Sequence, residues 1–308
     1  MVCHPHVKIN LGLSVLRRRP DGYHDLETLF VPYHGISDTL EIITGEDWSE
    51  TSASLFERYS PSEVAQAIAA DGSLMITITR RGGVDWDPLS DLTARAYSLL
   101  AADYKLPPMK IFLEKTAPVG AGLGGGSSDA AFALRMISEI AGLGLDDDAL
   151  ASYAARLGSD CAFFVYDRPM LGEGRGEVLT PLDVDFGNCE LRVVVPADIA
   201  VSTAEAYRGI VPREVAVATA VPASAGENLH PSENARLSET SDCKPLREAL
   251  ALPMERWRGA LVNDFEATVF AAHPELAALK QQLYDDGAIY ASMSGSGSAL
   301  FGLFPSQI

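Results

Sequence analysis

From Val7 to Val15 the chain alternates, with Val7, Ile9, Leu11, Leu13 and Val15 apolar and Lys8, Asn10, Gly12 and Ser14 between them. A period of two predicts a half-buried strand and sets Lys8 and Asn10 on one face. Pro20-Asp21-Gly22 then signals a turn and LETLFVPY resumes the extended pattern, so a hairpin is expected. Leu74 to Arg80 and Met109 to Lys115 also alternate, with a helical pattern over DLTARAYSLLAADY between them. Residues 44–70 read as an irregular insertion holding one short helix, SEVAQAIAA. After a glycine-dense stretch, Leu134, Ile137, Ile140 and Ala141 recur at helical spacing, and Gly142 and Gly144 end that helix. DDDALASYAARLG predicts a second helix closed by Gly158, and SDCAFFVY a strand after it.

The second half has a strand over ELRVVVP, then a long connection over 210–244, rich in Pro, Ala, Ser, Glu and Asn. WRGALVNDFEATVF and PELAALKQQLYDDG read as helices, and AIYASM and SALFGLF as strands flanking SGSGS. Helices and strands interleave without a repeating βα period. The fold class is therefore α+β, in two layered units, and not a doubly wound sheet or a TIM barrel.

Composition narrows the picture. With 308 residues and 47% hydrophobic content the chain buries a full core, in one large or two modest domains. Its apolar runs are too short to span a bilayer, and its first residues carry no secretory pattern. Cys3, Cys161, Cys189 and Cys243 lack metal or disulfide spacing and read as reduced thiols, which predicts a cytoplasmic protein with no membrane partner. A formal charge of −18 argues against nucleic-acid binding, although local cations and a metal ion still admit an anionic small substrate. Arg17-Arg18-Arg19, the one basic run, reads as a solvated hairpin tip.

The densest chemical signal is PVGAGLGGGSSDAA, Pro118 to Ala131. A strand, a glycine-rich turn and a helix opening on Ser127 and Ser128 form the right order for an anion site, because unpaired N–H groups and the helix dipole face the turn. The Lys-Ser/Thr pair of a P-loop is missing, and Ser128 or Asp129 alternatively serves only as a helix cap. Asp160, in LGSDCAFF, is either a displayed functional acid or a turn aspartate. Lys8 is either a site cation or a snorkelling edge-strand lysine. Ser294 to Ser298 is a tight turn or a second backbone wall, and Tyr23-His24 packs the hairpin or receives a ring. The nearest approach to zinc spacing, His4 and His6, only flanks a proline.

Taken in order, the strand with Lys8, the PVGAGLGGGSSDAA loop and MSGSGSALFGLF resemble the three glycine-centred blocks of the GHMP kinases. KINLGL, RRPDGYHDLETLF, LGSD, GEGRGE and LVNDFE resemble the branch of that family acting on 4-diphosphocytidyl-2-C-methyl-D-erythritol, with Asp-Gly-Tyr-His the most discriminating block. The resemblance runs from Val7 to Phe304, interrupted at 44–70 and 210–244. It implies a two-domain fold: a ribosomal-protein-S5-domain-2-like ATP-binding domain over 1–170 and a ferredoxin-like substrate-binding domain over 171–308.

The implied activity is ATP- and Mg²⁺-dependent phosphorylation of the 2-hydroxyl of that small-molecule substrate, in the non-mevalonate route to isoprenoids, by a monomer or homodimer. Asp160 is the implied base and Lys8 its electrostatic partner. Pro118, Val119, Gly120, Ala121, Gly122, Leu123, Gly124, Gly125, Gly126, Ser127 and Ser128 are the implied ATP loop, and no protein ligand is implied for Mg²⁺. Asn10, Tyr23, His24, Thr203, Tyr207, Gly295 and Gly297 are the implied substrate contacts, with Tyr23 stacked on cytosine, His24 at its edge and Thr203 and Tyr207 as a second wall.

Three departures stand out, one being that the segments 44–70 and 210–244 are longer than is usual in the family. Ser90-Asp91-Leu92 replaces the family's Asp-Asn-Leu, putting an acid where the adenine contact has an amide. Cys161-Ala162 replaces Val-Pro. A GHMP kinase for another small alcohol, or a nucleotide-binding relative without catalysis, is the alternative; the second predicts a lost Lys8 or Asp160, and both are present.

Overall fold

The computed structural model describes residues 1–45, 47, 55, 57–80, 83–213 and 245–306. The expected connection over 210–244 lies outside them except for residues 210–213, as does part of the 44–70 segment. The first strands are β1 (Val2–Cys3), β2 (His6–Arg18), β3 (His24–Ser37) and β4 (Thr39–Thr44). They are followed by β5 (Val64–Ile68), β6 (Leu74–Thr79), α1 (Leu92–Ala101) and β7 (Met109–Glu114). Then come α2 (Gly125–Ile140), α3 (Asp147–Leu157), α4 (Cys161–Tyr166), β8 (Met170–Gly174), β9 (Val178–Pro181) and β10 (Cys189–Val194). The remainder is α5 (Thr203–Tyr207), α6 (Leu246–Leu250), α7 (Phe265–Ala272), α8 (Pro274–Asp285), β11 (Tyr290–Met293) and β12 (Leu300–Pro305).

Helices and sheets pack in the expected α+β manner. One sheet has the order β1-β4-β7-β6-β5, a second β2-β3-β8-β9 and a third β10-β12-β11. Among the strands of the described residues only β6 and β7 pair in parallel, joined by the crossover through α1. The first sheet packs on α1 to α4 over a core that includes Ile42, Ile76, Ile111, Leu134 and Phe163.

β2 joins the two halves of the molecule. Its apolar positions Val7, Ile9 and Leu11 share a core with Trp257, Tyr290 and Phe301, whereas Leu13 and Val15 pack with Phe265 and Met293. A register shift between Leu11 and Leu13, at Gly12 with φ 71°, lets the long strand bend between these clusters. The alternation is as expected, but the strand is not half-buried: Lys8, Asn10 and Ser14 are buried too. The polar face is covered because it lines a cleft and not the outer surface.

Four other local expectations are corrected. SEVAQAIAA is not a helix; after a short 3-10 turn at Pro61–Glu63, β5 pairs antiparallel with β6, Ala65 opposite Ile78 and Ala67 opposite Ile76. The hairpin through Asp71-Gly72 supplies a ladder that outweighs the alanines' helix preference. CAFFVY is not a strand but α4, with Cys161 to Val165 all buried. An element apolar on every side carries no period to identify it. The helix expected over WRGALVNDFEATVF starts only at Phe265, because Asn263 forms a bridge to Leu13. α2 begins at Gly125, two residues before Ser127, with Gly124 as its N-cap at φ 73°.

Candidate active site

A cleft of about 500 Å³ opens where the polar face of β2, the glycine loop, the start of α4 and the β8–β9 turn meet. Lys8 sits at its centre and is not a snorkelling lysine: it is 3% exposed. Its ammonium donates to the Asn10 Oδ1 and to the Gly122 carbonyl at 2.9 Å, and stands 3.4 Å from Asp160 Oδ2. Burial pulls Lys8 below the ordinary lysine range, and the Asp160 carboxylate opposes that pull. Asp160 occupies the N-cap position of α4, but its side chain does not cap the helix. It accepts a hydrogen bond from Ser159 Oγ at 3.1 Å and stays turned into the cleft.

The glycine loop is wedged between β2 and the SGSGS turn. Lys8 N donates to the Leu123 carbonyl at 2.9 Å, Ser294 Oγ to the Gly122 carbonyl at 3.0 Å, and Ala299 N to the Ala121 carbonyl at 3.1 Å. A Cβ on Gly122, at φ 76°, would lie 2.2 Å from the Ser294 carbonyl oxygen, and one on Gly124 3.0 Å from Lys8 Cε. Only glycine fits where these segments touch. Residues 118–127 line the cleft, whereas Ser128 is fully buried behind it. The first N–H groups of α2 have no intrahelical acceptor and lie at the loop's end.

Asp129 does not cap α2. Its carboxylate reaches Lys115, on the residue after β7, at 2.6 Å, and Asp38 closes on the same ammonium. Burial would lower Lys115, but Asp129 and Asp38 outweigh it and hold the ammonium above the ordinary range. Asp38 also accepts from Thr116 N at 2.6 Å and Ala117 N at 2.8 Å, which fixes the entry to the glycine loop. Asp91, the anomalous acid, is the N-cap of α1: it accepts from Thr93 N at 2.9 Å and from Trp86 Nε1 at 3.1 Å. Asp91, Trp86, Leu92 and Lys115 all line the cleft.

Across the cleft, Thr203, Tyr207 and Gly295 line the wall. Thr203 Oγ1 is 3.4 Å from Ser296 Oγ. His24 stacks on Tyr207, with centroids 4.7 Å apart, and Tyr207 meets Phe265 edge-on. Burial, and then Arg18, lowers the His24 imidazole below the ordinary histidine range. Tyr23 is 58% exposed and carries the Arg175 guanidinium 5.1 Å above its ring. Neither Tyr23 nor His24 forms part of the cleft lining. The Asn10 amide is engaged at both ends, Oδ1 by Lys8 and Nδ2 by Thr28 Oγ1 at 3.1 Å. Gly297 also lies off the cleft; its missing Cβ makes room for Met293.

Three further residues shape the site. Arg175 lines the cleft from the β8–β9 turn, and GEGRGE was its visible signal. Lys115 closes the sequence's MKIFLEK strand pattern, but nothing local revealed its two carboxylate partners. Asn263, in LVNDFE, donates to the Met293 and Gly295 carbonyls, both at 2.8 Å, and so holds the second glycine turn against the loop.

Comparison with known proteins identifies the family and the fold. The family profile of the GHMP kinases N terminal domain matches residues 91–168, and that of the GHMP kinases C terminal region matches 238–307. The chain is 38% identical over 304 residues to a 4-diphosphocytidyl-2-C-methyl-D-erythritol kinase of Azobacteroides pseudotrichonymphae genomovar. CFP2, covering 99% of this chain and 93% of that one. It is equally 38% identical to the protein of the same name from Bacteroides thetaiotaomicron, over 99% and 92% of the two chains. A crystal structure of a 4-(cytidine 5'-diphospho)-2C-methyl-D-erythritol kinase superposes with a TM-score of 0.65 at 31% identity, over 98% of this chain and 90% of that one. A homoserine kinase from Cytophaga hutchinsonii, at 16% identity and a TM-score of 0.58 over 98% and 85%, shares the fold.

Proposed function

The chain belongs to the GHMP kinase family, within it to the 4-diphosphocytidyl-2-C-methyl-D-erythritol kinases, and we propose that its cleft moves the terminal phosphoryl group of ATP onto the 2-hydroxyl of 4-diphosphocytidyl-2-C-methyl-D-erythritol. The observation that carries this reading is the meeting of Lys8 and Asp160 at 3.4 Å beside a glycine loop that only glycine can form. Residues 1–170 supply the nucleotide side of the cleft and 171–308 the wall facing it.

In this reading Asp160 accepts the proton of the substrate hydroxyl as its oxygen attacks phosphorus. Lys8 lies beside both and offsets negative charge on the moving group; phosphoryl transfer rests mostly on such positioning and electrostatics. Asn10 and the Gly122 carbonyl hold the ammonium in place. The loop 118–128 and the N-terminus of α2 bind the ATP phosphates through backbone N–H groups. Trp86 and Leu92 offer apolar faces to the adenine, with Asp91 holding Trp86.

The residues present fit Mg²⁺, since Asp129 Oδ1 is a hard oxygen without a hydrogen-bond partner and Asp129 lines the cleft beside the loop. Asp129 would hold the ion, which when bound neutralises phosphate charge. Tyr23 stacks on the cytosine, His24 reads its edge, and Tyr207 with Thr203 backs His24. Gly295 and Gly297 shape the backbone turn that faces the substrate diphosphate.

A coupled ADP-release assay tests the assignment, with 4-diphosphocytidyl-2-C-methyl-D-erythritol, mevalonate and homoserine offered in parallel. Turnover of the cytidine compound alone is expected. Turnover of another alcohol without it would overturn the assignment.

A further inference from the structure

We propose that His6, His34 and Asp167 form a binding site for one divalent transition-metal cation of the Zn²⁺ class, outside the catalytic cleft. The three residues come from three segments: the first residue of β2, the last part of β3 and the residue that ends α4. None of them lines the cleft. Their ligand atoms all lie within 4.8 Å of one another, yet no two are close enough in sequence to form a motif.

The His6 ring nitrogen carries the argument. His6 is 4% exposed, and its Nε2 pairs with Asp167 Oδ1 at 2.9 Å, a contact that holds the Asp167 carboxyl below the ordinary range although the N–H is not aligned on that oxygen. A plain histidine–aspartate ion pair would point its N–H along that short vector. Here a buried nitrogen and a carboxylate oxygen converge with the N–H off that line. Bonds of about 2.0–2.2 Å from a Zn²⁺ ion to nitrogen and oxygen place neighbouring ligands roughly 2.8–3.6 Å apart as the angle between them widens from about 90° to tetrahedral, and this pair lies at the short, near-right-angle end of that range. His34 supplies the third donor, its ring centroid 4.1 Å from that of His6.

The surroundings hold the donors in place. Phe132 and Phe164 meet the His6 ring edge-on at 5.7 and 5.9 Å and fix its orientation from the inner side. Asp167 has φ 49°, the only positive φ at a non-glycine among the described residues, and this turns its carboxylate back to His6. His34 and Asp167 are exposed, so water can complete the coordination shell. Two imidazoles and one carboxylate favour Zn²⁺, Ni²⁺ or Co²⁺ over Mg²⁺, whose preference is for oxygen alone. A bound ion would fasten the C-terminal end of α4 to β2 and β3, while Asp160 stands at the other end of the same helix.

The test is a calorimetric titration of the chelator-treated full chain with Zn²⁺, in excess Mg²⁺ and without nucleotide, with bound zinc counted by elemental analysis. One Zn²⁺ per chain is expected, with thermal unfolding moved upward. His34→Ala, at an exposed position, and Asp167→Asn, which tolerates the left-handed backbone, should each weaken binding about 10-fold or more. His4→Ala should leave it unchanged. Absence of stoichiometric binding at micromolar Zn²⁺ overturns the proposal, as does binding unchanged in His34→Ala or in Asp167→Asn.

Discussion

His24 and Tyr207 stack with ring centroids 4.7 Å apart and planes 19° from parallel, although one comes from β3 and the other from α5. That spacing leaves no room for a third ring between them. Tyr207 therefore covers a face of His24 and leaves its edge for recognition, while Tyr23 remains the ring with an exposed surface. His24→Ala and Tyr207→Ala should each raise KM for the cytidine substrate, and the double variant less than additively. The coupling should be about 0.5–1.5 kcal/mol, the range for stacked rings. Tyr23→Ala should raise the same KM by about 1–3 kcal/mol, the value of stacking on a base. A strictly additive cycle would separate Tyr207 from His24.

Lys8 and Asp160 form the second relationship, and it separates chemistry from binding. Asp160→Asn removes the proton acceptor while keeping the side chain's shape. Turnover should fall about 10²–10⁴-fold, the usual worth of a general base. The dissociation constant for ATP, followed by fluorescence or calorimetry, should move less than about twofold. Near-normal turnover in the variant would remove Asp160 from the base role.

Local pattern revealed much of this architecture but little of its assembly. The β2–β3 hairpin, the glycine loop and the SGSGS turn were legible because each is written in consecutive residues. The meeting of Lys8 with Asp160 was legible only through family resemblance, since it depends on how α4 docks on β2. α4 carries no period in its sequence because every face is buried, and the state of β5 is decided by its partner, β6. Lys115 looked like any strand-end cation; its role comes from Asp38 and Asp129, which arrive from distant elements. Burial of a charge is a tertiary fact, and neither spacing nor composition announces it.

Gly122 should tolerate no side chain. A Cβ there would stand 2.2 Å from the Ser294 carbonyl oxygen, and the backbone is at φ 76°. Gly122→Ala would incur about 1–3 kcal/mol for the left-handed conformation and roughly as much again for overpacking. The urea midpoint should drop, and because the Gly122 carbonyl holds the Lys8 ammonium, kcat should fall as well. Gly142→Ala is the matched control, at φ 64° with open space around it, and should show only the backbone cost. Equal effects at the two positions would mean that the wedge against Ser294 is unimportant.

The buried Lys115 cluster makes a prediction in pH. Its ammonium is held above the ordinary lysine range by Asp129 and Asp38, against the opposing effect of burial. A group whose folded pKa is raised binds its proton more tightly in the native state. Its stabilisation is fully present below the unfolded value, about 10.4 for lysine, and is lost as pH rises beyond it. From this group, stability should thus stay level between about pH 7 and 9 and decline only above about pH 10. Lys115→Met leaves two buried carboxylates without their cation and should cost about 3–5 kcal/mol near neutral pH. It should also abolish the alkaline decline that Lys115 causes. Adding Asp129→Asn to Lys115→Met should recover part of the loss, because one of the two uncompensated carboxylates is then gone. Urea unfolding at closely spaced pH values reads all three outcomes. A wild-type stability already falling by pH 8, with the same slope in Lys115→Met, would show that the cluster does not stabilise the fold in this way.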